Sequence, residues 1–257
     1  MHVRAPGSPT VPVQPGVIAL WSVPRSCSTA FLRMMIERGD TAVVHEPFSH
    51  VADFGQTTVA GEVVRSHEAA MAAICRLSAG GPVFFKDTTE QRYTAVLADE
   101  SFLRSARHAF LIRDPRKSIA SHYALDPDLM LDRIGYQWLC EVHGRVREVC
   151  GEDPLVFEAE ELVEHPAETV ARFCAWAGLP YVAGALSWAA GEQIQWSASK
   201  AWHSDVSAST GFVKHDWPAR ADVTADPVLS AYYRYHLPFY EHLRACAGKH
   251  IHGTQTG

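Results

Sequence analysis

The sequence predicts an α/β protein in three layers, with a central, mainly parallel sheet held between two layers of helices. Short β-rich apolar runs alternate along the chain with segments of helical spacing, the signature of strand–helix–strand crossovers. The runs are near-continuously apolar rather than alternating, as strands covered on both faces require. With 257 residues, 47% hydrophobic and 20% charged, the chain can build one large domain of this kind.

The elements follow in order. "VIALWS" (17–22) reads as the first strand, and "TAFLRMMIERG" (29–39) as a helix closed by Gly39. "TAVVHEP" (41–47) is a second strand stopped by Pro47, "EAAMAAICRLSAG" (68–80) a helix, and "PVFFKD" (82–87) a third strand. Residues 95–106 read as helix, and "HAFLIRDP" (108–115) as a fourth strand. Pro115 then sits at the first position of a helix over 115–124. A long amphipathic helix is expected over 130–151, a fifth strand over 154–162 and a helix over 166–179. Beyond about residue 190 the pattern loosens, with Trp188, Trp196, Trp202 and Trp217 among polar residues. The expected organisation is a flexible arm at 1–15, one domain at 16–245 and a flexible tail at 246–257.

The net charge of −6 weighs against a nucleic-acid partner, which calls for a basic excess. No apolar run is long enough to span a bilayer, and the N-terminal stretch lacks the apolar segment of a secretory signal. Six cysteines are scattered without a C-x-x-C pair, which reads as buried thiols of a reduced, cytoplasmic protein.

Two segments carry chemistry. In "VPRSCSTAF" the first strand breaks at Val23-Pro24 and passes through Arg25, Ser26, Cys27, Ser28 and Thr29 into the first helix. A loop beyond the carboxyl end of a strand is where open α/β sheets bind ligands. A helix N-terminus adds N–H groups and a positive dipole end, the hydroxyls add donors, and Arg25 adds a charged fork suited to oxyanions. These residues describe a cradle for phosphate or sulfate; the plainer alternative is a turn with Ser28 as helix cap. The ATP-type pattern G-x-x-x-x-G-K-[ST] is absent, which counts against a kinase or ATPase. In "LIRDPRKSIASHY", Arg113 at a strand end and Ser121 on the following helix form a second candidate anion element. The alternative there is Arg113 paired with a carboxylate and Ser121 at the surface.

"VPRSCSTAF" resembles the 5′-phosphosulfate loop of sulfotransferases that use 3′-phosphoadenosine 5′-phosphosulfate (PAPS). "RDPRKSIASHY" resembles the same family's 3′-phosphate motif, an arginine followed eight positions later by a serine. "VFEAEELVEHPAETVARFCAWAGL" and "SASTGFVKHDW" resemble two later stretches, the second a loop closing over the nucleotide. The resemblance runs in order from about residue 17 to 217. It implies the P-loop nucleotide-hydrolase-like sulfotransferase fold of bacterial, cytosolic-type members, with PAPS as co-substrate and no metal. It implies 5′-phosphate and sulfuryl contacts for Arg25, Ser26, Cys27, Ser28 and Thr29, and 3′-phosphate contacts for Arg113 and Ser121. Ser209, Thr210, Gly211 and Phe212 are its candidates for the closing loop, and Lys86 lies near where some members place a lysine by the transferred group.

Three positions depart from the family pattern. Cys27 replaces the usual glycine, Ala30 replaces an aromatic beneath the adenine, and Asp87-Thr88 stands where many members carry the basic histidine. The base therefore stays open among Glu46, Asp87, His45 and His203. Glu46 leads and Asp87 is second, because some bacterial members draw a carboxylate from the Glu46 region. The expected activity is sulfuryl transfer to a hydroxyl of a small-molecule acceptor, by a monomer or homodimer, with residues 48–66 and 188–210 walling the acceptor. Two rivals come from other classes. Cys27 and Arg33 spell the C-x5-R of cysteine phosphatases, and the departures admit a non-catalytic nucleotide-binding protein on the same scaffold.

Overall fold

The computed structural model describes residues 16–212 and 222–247. In chain order the elements are β1 (Val17–Ser22), α1 (Ser28–Arg38), β2 (Ala42–His45), α2 (Pro47–Phe54), β3 (Thr57–Val59), β4 (Glu62–Val64), α3 (His67–Ser78), β5 (Val83–Thr88), α4 (Thr94–Ala98), α5 (Glu100–Ser105) and β6 (Ala106–Ile112). They continue with α6 (Pro115–Tyr123), α7 (Tyr136–Cys150), β7 (Leu155–Glu158), α8 (Ala159–Glu164), α9 (Pro166–Ala177), α10 (Ser204–Ala208) and α11 (Pro227–Arg244), with 3₁₀ turns at Leu131–Ile134, Ala183–Leu186 and Ile194–Trp202.

Five strands form one parallel sheet in the order β2-β5-β1-β6-β7, and β3 with β4 forms a separate antiparallel hairpin. Successive side chains of a strand point to opposite faces, and the core divides accordingly. Val17, Ala19, Trp21, Phe85 and Phe110 pack with residues of α3, α5, α7 and α11. Ile18, Leu20, Phe84 and Leu111 pack with residues of α1, α8 and α9. All six residues of β1 are buried, so neither face of the strand meets solvent. Trp21 anchors one layer: its indole stacks near Phe48 and donates to Nδ1 of His108 at 3.0 Å. That leaves the proton of His108 on Nε2, which donates to the Leu103 carbonyl at 2.9 Å.

The three-layer α/β architecture stands as the sequence predicts it; several boundaries do not. The second strand ends at His45, because Pro47 opens α2 instead of merely stopping the strand. Residues 95–106 split at Asp99, whose carboxylate accepts from the Phe102 N–H and caps α5. The fourth strand starts at Ala106 and ends at Ile112. The helix expected over 130–151 is broken at Gly135, which sits at φ 88°. The fifth strand ends at Glu158, where α8 begins. The sequence reading also lacked α11, an 18-residue helix carrying Pro238. Cys246, placed in the tail, is buried against the core that α11 joins. Residues 1–15, most of the tail and Val213–Trp217 of the closing-loop motif lie outside the described residues. Among the described residues no helix is long and apolar enough to cross a membrane.

Candidate active site

The carboxyl ends of β1, β2, β5 and β6 face a cavity of about 1070 Å³, room for a nucleotide and a second ligand. Its first wall is the loop between β1 and α1. Arg25 and Cys27 take left-handed backbone conformations, at φ 62° and 66°. For a residue with a Cβ that conformation costs about 1–2 kcal/mol. Cys27 thus bears its side chain in a backbone conformation that favours glycine, the residue that the resembled motif carries there. The Ser26 hydroxyl donates to the Val23 carbonyl at 2.8 Å and closes the turn. Ser28 and Thr29 open α1, with N–H groups at the helix's positive end.

The two candidate anion elements, read separately in the sequence, line one cavity. Arg113, beyond the end of β6, donates from Nη1 to the Arg25 carbonyl at 2.5 Å. Arg25 donates from Nε to Ser121 Oγ at 3.0 Å, from Nη1 to the Trp202 carbonyl at 2.7 Å, and from Nη2 to Asp205 at 2.8 Å. Arg116 and Lys117 of α6 line the same end of the cavity.

At its inner end lies an ion pair. Lys86 is 1% exposed in the carboxyl-terminal half of β5, and its ammonium pairs with Glu46. The register sets His45 beside Lys86, and Glu46 follows at φ 42°, its N–H donating to the Lys86 carbonyl at 2.7 Å. Burial pushes the Glu46 carboxyl up, but Lys86, with His45 and His203 behind it, overrides that and holds it far below the usual range. The second Glu46 oxygen lies 3.8 Å from Nε2 of both His45 and His50. His203 meets Thr29 Oγ1 at 3.2 Å through Nδ1 and Ser199 Oγ at 3.2 Å through Nε2. Burial pushes its pKa down to about 4, so the ring is neutral at pH 7.

Of the residues singled out in the sequence, Arg25, Ser26, Cys27, Ser28, Thr29, Glu46, Lys86, Arg113, Ser121, His203, Ser209, Gly211 and Phe212 line this cavity. Thr210 does not: its carbonyl accepts from the Trp188 N–H at 3.2 Å, behind the wall. His45 is 4% exposed and stacks edge-on against His203. Asp87, second among the candidate bases, points to the other side of β5. Its carboxylate accepts from the N–H groups of Phe48, Ser49 and Thr88 and from the Ser49 hydroxyl, so it caps α2. It is fully buried and does not line the cavity. Burial, then the Glu46 charge, push it up to about 7 against those donors. The phosphatase alternative fails on Arg33, which pairs with Glu37 at 2.6 Å and donates to the Ala189 carbonyl, away from the loop.

Sequence reasoning missed Asp205, which holds Arg25, and His50, which faces Glu46. The spacing Glu46-x-x-x-His50 would have shown one helical face had Pro47 been read as a helix start. It also missed Glu90, Asp126, Asp128 and Arg133 on the far wall. Burial, then Glu46, push Glu90 up to about 8.

Residues 16–247 match the family described as "Sulfotransferase domain". The chain belongs to the sulfotransferase family. Two Arabidopsis thaliana proteins, branched-chain-amino-acid aminotransferase-like proteins 1 and 2, are 27% and 26% identical over 77% and 76% of this chain. The chain spans 37% and 36% of their lengths. Among solved structures, a sulfotransferase from Alicyclobacillus acidocaldarius is 15% identical with a TM-score of 0.44, over 88% of this chain and 94% of its own. A mouse sulfotransferase, SULT7A1, complexed with PAP, is 13% identical with a TM-score of 0.40, over 65% of this chain and 60% of its own. These structural likenesses are distant. The candidate site of this sulfotransferase sits where the strands of its parallel sheet end, the usual place for a ligand in an open α/β sheet.

Proposed function

We propose that this sulfotransferase moves a sulfuryl group from PAPS to a hydroxyl of a small-molecule acceptor. The observation that carries the reading is the convergence of Arg25, Arg113 and Ser121 on one loop at the start of α1. Two guanidinium forks, a hydroxyl and a helix N-terminus suit a nucleotide with phosphates at both its 3′ and 5′ positions. Arg113 and Ser121 hold the 3′-phosphate; residues 25–29 hold the 5′-phosphate and the sulfuryl oxygens. Ser209, Gly211 and Phe212 close over the nucleotide.

In the reaction the acceptor oxygen attacks sulfur in line, the S–O bond to the 5′-phosphate breaks, and adenosine 3′,5′-bisphosphate leaves. Such a transition state is loose, so positioning and charge stabilisation do most of the work. Lys86 meets the charge that grows on the bridging oxygen, and Arg25 that on the phosphate. As Lys86 turns to the leaving group it releases Glu46, which takes the acceptor's proton. Glu46 is the carboxylate of the candidate set that lines the cavity next to Lys86. No step calls for a metal. The reading takes the enzyme to act in the cytoplasm as a monomer or homodimer, in keeping with six cysteines none of which is in a disulfide.

Isothermal titration with adenosine 3′,5′-bisphosphate tests it. Binding without magnesium is expected, weakened at least about tenfold in Arg113→Ala, since a charge-assisted phosphate contact contributes about 1.5–3 kcal/mol. Absence of binding, or equal affinity in the two proteins, would overturn the assignment.

A further inference from the structure

α7 and α11 pack side by side on the face of the sheet opposite α1. His143 projects from the middle of α7 into this contact, and its ring lies 5.1 Å from Phe110 and 6.2 Å from His242. His242 lies in the last turn of α11, and Cys246 follows four residues later, just past the helix end. That spacing puts both on one side of the helix. One ligand atom from each of His143, His242 and Cys246 lies within 4.8 Å of the others. His143 and Cys246 are buried and His242 is exposed, so the cluster opens to solvent on one side. None of the three lines the active-site cavity.

We propose that His143, His242 and Cys246 bind one borderline-soft divalent transition ion of the zinc class. Two imidazoles and a thiolate are the donors such an ion prefers, whereas calcium and magnesium require oxygen. Around a tetrahedral ion with bonds of about 2.0–2.3 Å, ligand atoms lie about 3.5 Å apart, so modest side-chain rotations close the set. The carbonyl end of α11 adds a partial negative charge beside the site. Cys140, one turn before His143 on α7, donates its S–H to the Phe239 carbonyl at 3.3 Å, which fastens the same two helices. The active-site cluster of His45, Glu46 and His50 has comparable spacing, but its carboxylate already holds the Lys86 ammonium. On binding, the Cys246 thiol loses its proton to solvent, and the ion joins the thiolate to the two imidazoles, cross-linking α7 to α11. This departs from the sequence expectation of a protein without a metal, and it is independent of the sulfuryl-transfer reading.

The experiment uses the reduced, tag-free chain after treatment with chelator. Cobalt(II) titration should give a thiolate-to-metal charge-transfer band and visible bands of a tetrahedral ion, saturating at one ion per chain and displaced by zinc. Cys246→Ser should abolish the charge-transfer band. His242→Ala, at an exposed position that leaves the fold intact, should weaken binding by at least the roughly tenfold that even outer partners of a metal site cost. Zinc should raise the melting temperature of the parent chain and not that of Cys246→Ser. Absence of a thiolate band, its survival in Cys246→Ser, or unchanged affinity in His242→Ala would overturn the proposal. Cys75→Ser, a thiol on α3, should behave as the parent; loss of the band there would also overturn it.

Discussion

Glu46 and Lys86, the base and the cation of the proposed reaction, meet in one buried contact. A buried ion pair contributes little net stability, but removing one partner strands the other charge, at a cost of about 3–5 kcal/mol. Glu46→Gln should therefore do two things. Transfer should fall by about 10²–10⁴, the usual contribution of a general base, while affinity for adenosine 3′,5′-bisphosphate stays within a few-fold. The melting temperature should fall as well, and the double variant Glu46→Gln/Lys86→Met should regain part of that loss. Single-turnover rates and thermal unfolding of the three proteins check both. A Glu46→Gln enzyme within about tenfold of the parent rate would move the proton to His203 or His50, whose imidazoles are neutral and face the same cavity. Asp87 shows why the base was ambiguous in the sequence. A carboxylate next to Lys86 looks catalytic in one dimension, but adjacent residues of a strand point to opposite faces, and the face that receives Asp87 offers it the N-terminus of α2.

The elements that position the site depend on a few backbone conformations. At Gly135 the chain leaves the 3₁₀ turn at Leu131–Ile134 and enters α7, and a Cβ there would come within 2.4 Å of the Thr89 carbonyl oxygen. Thr89 follows the strand that carries Lys86, and its hydroxyl donates to the Gly135 carbonyl at 3.0 Å. A left-handed β-carbon and an overpacked contact together should make Gly135→Ala less stable by at least about 2 kcal/mol, measured by urea unfolding. A loss under about 0.5 kcal/mol would show that the two segments part easily. The periodicity of 130–151 hid this break, because apolar spacing continues across it and only the close approach of another segment requires glycine. Pro47 and Pro115 illustrate the same limit. Both open helices, yet only the second was read so, since "TAVVHEP" looks complete as a strand.

At the scale of the whole molecule, burial of titratable groups sets the response to pH. Burial pushes His108, His122, His203 and His236 from 6.5 down to about 4. Between those values the unfolded chain binds protons that the folded one refuses, so these groups make stability rise with pH. His45 and His50 are shifted the same way. Asp87 and Glu90 oppose this: burial and Glu46 raise them to about 7 and about 8, so the folded chain keeps protons that the unfolded one loses above about pH 4.5. The histidines outweigh the carboxyls on the acid side; as the unfolded histidines finish titrating above pH 6.5, the carboxyls prevail. Thermal unfolding between pH 5 and 8 should therefore show a steep loss of stability on the acid side, a maximum near pH 6.5 and a shallow decline toward pH 8. A steady climb through pH 8 would mean that Asp87 and Glu90 are ionised in the folded protein.

Local sequence encodes the strand–helix alternation and the parallel sheet, and it marks the two candidate anion elements at Arg25–Thr29 and Arg113–Ser121. Each is local: an apolar run, a proline, a helix start and a charged fork lie within a dozen residues of one another. Long-range packing brings the two elements together, carries Arg25 to Asp205 across 180 positions, and turns Lys86 to Glu46 while Asp87 faces α2. Strand order and register bring these groups together, and both arise from packing of distant segments that no local pattern encodes.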